Sequence, residues 1–69
     1  MKYNVGDLFV DPVSKNHSSL SYIFRIDREL HIDYYWMRYL NADYKDSHWI
    51  EEELDHWIES DIRYYPVKQ

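Results

Sequence analysis

Alternating hydrophobic and polar positions predict three β-strands in the first forty residues. The first is Val5–Val10, which is entered through a Gly-Asp turn and ended by Asp11-Pro12. The second, Leu20–Ile26, alternates regularly, and the third is the longer run His31–Leu40. In the second strand one face carries Leu20, Tyr22, Phe24 and Ile26, and the other carries Ser21, Ile23 and Arg25. The short connection between the last two strands predicts an antiparallel hairpin.

The strand His31–Leu40 is apolar on both faces. Ile32, Tyr34, Trp36 and Leu40 share one face, and Tyr35, Met37 and Tyr39 share the other. We therefore expect one face to contact the core and the other to contact a partner. The expected core aromatics are Phe9, Tyr22, Phe24 and Trp57, with a surplus of aromatic surface over Tyr34–Tyr39.

A helix is predicted from about His48 to Ser60, with Asp46 or Ser47 as its N-cap. Its buried stripe follows the i, i+4, i+7, i+8 pattern and consists of Ile50, Leu54, Trp57 and Ile58. Its opposite side is acidic and consists of Glu51, Glu52, Asp55 and Glu59. Ile62–Val67 then predicts a last short strand that ends at Pro66.

These elements predict one domain over residues 1–69, mainly β with one α-helix, in the α+β class. The expected architecture is a small curled antiparallel sheet with the amphipathic helix before its last strand. The polar segment Val13–Ser19 is expected to be a mobile loop, and no separate strand is expected between Leu40 and the helix.

Composition narrows the class of protein. A chain of 69 residues is near the size at which a single core is barely sufficient, and its eight Tyr, three Trp and two Phe supply dense aromatic packing. With no cysteine and no long apolar run, we expect a cytoplasmic protein without disulfides or a membrane span. No catalytic or phosphate-binding motif is present, so we expect neither an enzyme nor a bound cofactor.

The negative charge is confined to one segment. Acidic and basic residues balance up to Ala42, whereas Asp43–Asp61 contains eight acidic residues and one lysine. A local field of one sign attracts partners of the opposite sign. We therefore expect a protein partner that is bound by Glu51, Glu52, Asp55, Glu59, Tyr35 and Tyr39. Carboxylates spread over a helix face could also mimic nucleic-acid phosphates, although such a face is also typical of a merely soluble helix.

Two alternatives depend on the arginines. Arg25, Arg38 and Arg63 lie on separate predicted strands, and Tyr65 is close to Arg63. If these residues converge, an oligomer could capture a small anionic nucleotide, or a small barrel could bind single-stranded nucleic acid. The arginines could instead pair with local acids such as Asp27 and Asp33. The overall acidity disfavours long nucleic acid.

A metal site is the last candidate. His48, Glu52 and His56 are four residues apart, which on a helix would align them along one face. A structural zinc site needs four ligands and this face offers three, so we expect a solvated polar face and no metal.

Parts of the chain resemble two known groups of proteins. Val5-Gly6-Asp7, Tyr22–Ile26 and Ile62–Pro66 resemble the entry, central and return strands of Src-homology-3-like or Tudor-like small barrels, in which a helical turn precedes the last strand. The predicted helix is longer than that single turn. The C-terminal stretch WIEEELDHWIESDIRYYPV is similar to the ends of short accessory proteins of tailed bacteriophages. The second resemblance implies an inhibitor that binds a host or defence protein.

Overall fold

A computed structural model describes residues 2–68; Met1 and Gln69, the ends of the predicted domain, lie outside the described range. The chain forms five strands and one helix. In chain order they are β1 (Leu8–Ser14), β2 (His17–Glu29), β3 (Ile32–Tyr39), β4 (Ser47–Trp49), α1 (Glu51–Glu59) and β5 (Arg63–Tyr65).

All five strands belong to one antiparallel sheet in the order β4-β3-β2-β1-β5. Because β4 and β5 are its two edges, the sheet is open. The predicted α+β class, mainly β with one helix before the last strand, is confirmed.

The prediction of a loop over Val13–Ser19 is wrong. Strand β1 continues through Pro12 to Ser14, and β2 begins only three residues later at His17. The mainly polar side chains of this hairpin, most of them exposed, carry no alternating hydrophobic pattern, which explains the error. Pro12 is tolerated here because the pairing with β2 is irregular between Pro12 and Ser14, and proline is compatible with such a bulge.

The segment before the helix was also predicted wrongly. Ser47–Trp49 is a strand that pairs with β3, and the helix begins at Glu51 with Ile50 at the N-cap position. The Ile50 backbone N–H donates to a carboxylate oxygen of Glu53 at 3.1 Å, so an acidic side chain of the first turn secures this end. A three-residue strand directly before a helix is too short for its period to stand out.

The core lies on one side of the sheet, which we call the inner face. Its fully buried apolar side chains are Tyr3, Phe9, Ile23, Tyr35, Met37 and Leu54. Leu54 comes from α1, and Trp57 and Ile58 pack beside it as the helical stripe predicted. The expectation of a buried Phe9 is therefore correct.

Tyr22 and Phe24 are only half-buried and lie on the opposite side, which we call the outer face, so their expected place in the core is wrong. Paired residues of antiparallel strands point to the same side, and Tyr22 pairs with the exposed Arg38. Phe24 is a bulge residue between Ile23 and Arg25. Because the bulge shifts the alternation by one residue, Ile23 and Ile26 both lie on the inner face.

Buried Asp7 ties the two ends of the chain together. Its carboxylate accepts hydrogen bonds from the Tyr64 hydroxyl at 2.7 Å, the Val67 backbone N–H at 2.8 Å and the Asn4 backbone N–H at 3.0 Å. The turn before it requires Gly6, which has a φ of +99°. This network holds the N-terminal turn and β5 against the inner face.

Candidate interaction site

The acidic segment Asp43–Asp61 comprises the loop before β4, strand β4, helix α1 and the residues that flank the helix. Glu51, Glu52 and Glu59 are exposed on α1, as predicted. Glu52 and Glu59 are two turns apart and therefore share one side of the helix. Their carboxylates are open to solvent and to any partner that approaches this side.

Asp55 differs from the other predicted contact residues on the helix. Its carboxylate accepts a hydrogen bond from the Tyr3 hydroxyl and lies 2.8 Å from Lys2 Nζ. The Lys2 ammonium, followed by the Tyr3 hydroxyl, holds the pKa of Asp55 below its usual value. Asp55 therefore fastens the N-terminal residues to the helix and is already occupied within the chain.

A cleft of about 380 Å³ opens between the inner face, the end of α1 and the loop after β3. Half of its lining residues are aromatic, and the lining consists of Phe9, Asp11, Val13, Ser19, Ser21, Tyr39, Tyr44, Trp49, Trp57 and Ile62. The ring centroids of Trp49 and Trp57 are 4.7 Å apart, and those of Tyr39 and Tyr44 are 5.1 Å apart. Both pairs are edge-to-face, the arrangement that aromatic rings prefer.

Small residues on β2 create this space. Ser19 and Ser21 are buried on the inner face, opposite Asp11 and Phe9 of β1. Each serine side chain is only a hydroxymethyl group and fills little of the space beneath the helix. The surrounding aromatic rings therefore border an unfilled cavity. The Trp49 indole N–H donates to the Ser47 hydroxyl at 2.9 Å, which fixes the orientation of one wall.

The rim of the cleft carries a negative charge from Asp11, which is the charged residue of the lining. Tyr44 itself is 68% exposed, so one wall is open to an incoming group. An aromatic cleft with a carboxylate rim suits a side chain that carries positive charge on an apolar stem.

The outer face carries two of the three predicted arginines. The Arg38 guanidinium lies 4.1 Å from the ring centroid of Phe24, and that of Arg25 lies 4.8 Å from the centroid of Trp36. Each is also held by a carboxylate: Arg38 forms a bidentate pair with Asp46, and Arg25 Nε lies 3.1 Å from Asp27. Arg38 in turn holds the pKa of Asp46 below its usual value.

Arg63 and Tyr65 lie on β5 at the far edge of the same face. Tyr65, Leu8, Tyr22 and Arg38 form one row across four neighbouring strands. Strands are about 4.8 Å apart, so Tyr65 and Arg38 are about 14 Å apart across the sheet. The three arginines therefore share a face without converging on one pocket.

The two tyrosines predicted as contacts have different positions. Tyr35 is 1% exposed and belongs to the core, so the expectation that it is available to a partner is wrong. It points inward because it pairs with Trp49 and Ile26, which both pack on the inner face. Tyr39 is half-buried and lines the cleft.

The three-ligand pattern on the predicted helix is not preserved in the structure. His48 lies on β4 and packs against Trp36 on the outer face, whereas Glu52 and His56 are on α1. Among residues 2–68, no group of three or more His, Cys, Asp or Glu side chains is arranged to hold a metal ion.

Several cleft residues were not identified from the sequence as parts of a site. These are Asp11, Ser19, Ser21, Tyr44, Trp49 and Trp57. The sequence carried no clear signal for them, because the burial of Ser19 and Ser21 beside Ile23 is apparent only from the structure.

Fold and site together define a small, mainly β domain with one acidic helix and an aromatic cleft beside it. Comparison with protein families, curated proteins and solved structures found no match to this chain. Within residues 2–68, no helix is long and apolar enough to cross a membrane.

Proposed function

We propose that this protein is a non-enzymatic interaction protein that binds a basic segment of a protein partner. The aromatic cleft receives a cationic side chain of that segment, and the acidic segment Asp43–Asp61 attracts it. The observation that carries the proposal is the cleft itself. Three of its aromatic residues, Tyr44, Trp49 and Trp57, belong to the acidic segment Asp43–Asp61, and Asp11 adds a carboxylate to its rim.

The two parts of the surface have different tasks. A guanidinium or ammonium group over aromatic rings is attracted by their electron-rich faces, and the attraction strengthens as the site excludes water. Exposed carboxylates such as Glu52 and Glu59 act over about 8 Å at physiological salt. They accelerate encounter, whereas a buried anchor slows dissociation.

A DNA-binding protein is one class of partner with the required positive charge. The exposed carboxylates of α1 would then imitate a row of phosphates, so the partner would lose access to its nucleic acid. The phage-type inhibitor role in this proposal is supported by the C-terminal resemblance described above. A Src-homology-3-like arrangement of strands is supported by the order of the five antiparallel strands and by the helix that directly precedes the last one, while the sheet itself is open rather than a closed barrel.

The nucleotide and nucleic-acid alternatives are less well supported. Arg25 and Arg38 each already hold a carboxylate, and neither converges with Arg63. A phosphate would have to displace Asp27 or Asp46 to gain the same hydrogen bonds.

The proposal is tested by capturing partners from bacterial lysate on the tagged protein and measuring the binding kinetics of what is captured. Tyr44→Ala opens one wall of the cleft and is expected to raise the dissociation rate about tenfold or more, the effect of losing an aromatic anchor. Glu52→Lys with Glu59→Lys is expected to lower the association rate and to weaken its dependence on salt.

Asp27→Lys with Glu29→Lys is the matched control, because it makes the same change in net charge on the β2–β3 hairpin. This control should leave the association rate much closer to that of the wild type. If the captured partner is acidic, or if Tyr44→Ala and the helix variant bind as the wild type does, the proposal is wrong.

A further inference from the structure

The outer face of the sheet is apolar and uncovered. Within residues 2–68 the helix packs on the opposite side, and every outer-face side chain is half-buried or exposed. Its apolar and aromatic members are Leu8, Val10, Leu20, Tyr22, Phe24, Ile32, Tyr34, Trp36, Leu40 and Tyr65. An antiparallel sheet that leaves one face in water normally has polar residues there. A surface of this kind indicates a contact with another protein surface.

The chain exposes more surface than a compact monomer of its mass, as expected if one of its faces is covered by another protein. The chain exposes 5321 Å², whereas a compact monomer of 8.6 kDa would expose about 4,700 Å². The excess of about 600 Å² approaches the roughly 800 Å² that each partner buries in a standard interface. Covering one face of the sheet would remove it.

The charges on the outer face indicate which kind of protein covers it. On the outer face three arginines, Arg25, Arg38 and Arg63, are balanced by three acids, Asp27, Glu29 and Asp46, the last counted through its pair with Arg38. The face is therefore neutral within a chain of net charge −5. A strongly basic partner gains nothing there, whereas a second acidic copy meets less repulsion there than on the helix side.

We propose that the outer sheet face is the interface of a symmetric homodimer, in which two copies pack face to face. A twofold axis brings the same patch of both subunits together, so equal numbers of arginines and acids on one face can complement themselves. The two acidic helices α1 then lie on the far sides of the dimer, and both aromatic clefts stay open. This inference is independent of the basic partner, because the two surfaces are on opposite sides of the sheet.

The test is sedimentation of the purified protein from micromolar to near-millimolar concentration at low and high salt. As the protein concentration rises, we expect the sedimenting mass to change from that of one chain to that of two. Salt should strengthen the dimer, because screening weakens the repulsion between two acidic chains. Binding of a basic partner has the opposite dependence on salt, so the two proposals can fail separately.

Leu40→Asp with Tyr65→Asp places four new carboxylates in the proposed interface. Leu40 and Tyr65 are 60% and 49% exposed, so the fold should be retained, as circular dichroism would check. The dissociation constant is expected to rise at least about a hundredfold, because burying an unpaired charge is strongly unfavourable. Leu30→Asp is the control: it replaces an exposed leucine at the β2–β3 hairpin tip, adds one carboxylate per chain where the double variant adds two, and should leave the dimer unchanged.

A second measurement needs no variant. Amide chemical shifts recorded against concentration should move for outer-face residues such as Trp36 and Tyr22 and remain constant around Trp57. The proposal is overturned by a protein that sediments as one chain throughout. A dimer that survives Leu40→Asp with Tyr65→Asp, or an assembly that grows beyond two chains, also overturns it.

Discussion

The two faces of the sheet use the same residue types for different purposes, and the adjacent tyrosines Tyr64 and Tyr65 show the difference most directly. Tyr64 points inward, where its ring packs against Tyr3 at 5.4 Å and its hydroxyl donates to Asp7. Tyr65 points outward into a row with Leu8. On the inner face Tyr3 makes edge-to-face contacts with other aromatic rings, whereas on the outer face Phe24 and Trp36 contact arginine guanidinium groups.

This difference explains how so short a chain folds without disulfides. The inner face uses Tyr3, Phe9 and Tyr35 as large apolar groups, and their polar atoms are satisfied at its edge. The outer face contributes little to that core and is left available for contact. The two faces are therefore expected to respond to substitution on very different energy scales.

The largest effect is expected for Leu54→Ala. Leu54 is 0% exposed and joins α1 to the core. Its truncation should lower the free energy of unfolding by about 2–5 kcal/mol, from lost burial and from the cavity left behind. Chemical denaturation followed by circular dichroism measures the change.

Leu40→Ala is the matched substitution on the outer face. It removes the same atoms from an exposed position, so the purified monomer should lose less than about 0.5 kcal/mol. Equal losses at the two positions would contradict the division of the sheet into a packed face and an open face.

An intermediate effect is expected from alkaline pH, and it should arise on the inner face. Burial, and secondarily the hydrogen bond to Asp7, raises the pKa of Tyr64 to about 12 from an ordinary value of 10.0. Burial also raises the pKa of Tyr3 and of Tyr35. A group with a raised folded-state pKa contributes its stability in full below the unfolded value. The free energy of unfolding should therefore begin to fall near pH 10 and continue to fall through about pH 12.

Urea denaturation across this range, with tyrosinate absorbance as a second signal, measures the fall. Tyr64→Phe should be less stable at neutral pH, because Asp7 loses a donor, and its stability should depend less steeply on alkaline pH. Tyr65→Phe is the control, because the Tyr65 ring lies outside the Asp7 network, and it should follow the wild type. A wild-type curve that is flat from pH 10 to 12 would contradict this account.

The sequence predicted the elements whose patterns are long and regular. The stripe through Leu54 and Ile58 identified α1, and the alternation of Leu20–Ile26 identified the centre of β2. The inward face of β2 could not be derived, because both faces carry apolar residues and the bulge at Phe24 reverses the alternation within the strand. Local periodicity contains no information on such a register shift.

The cleft was beyond prediction for a related reason. Its lining combines Asp11 from the unrecognised extension of β1 with Trp49 from the unrecognised strand β4. Residues far apart in sequence form a cavity only after strand pairing is known. The acidic character of the neighbouring segment, by contrast, is a matter of composition and was evident from Asp43–Asp61 alone.

The smallest effect is expected on the outer face for Arg25→Met, which retains an unbranched apolar side chain and removes the charge. Arg25 loses its stacking on Trp36 and its pair with Asp27, but both contacts are exposed to solvent. Each such contact is worth less than about 1 kcal/mol, because water and salt screen the charge. Denaturation of the monomer should therefore show a loss of about 0.5 kcal/mol, smaller still at high salt. A loss of about 2 kcal/mol or more would mean that the outer face is a second packed core, and the contrast between the two faces would fail.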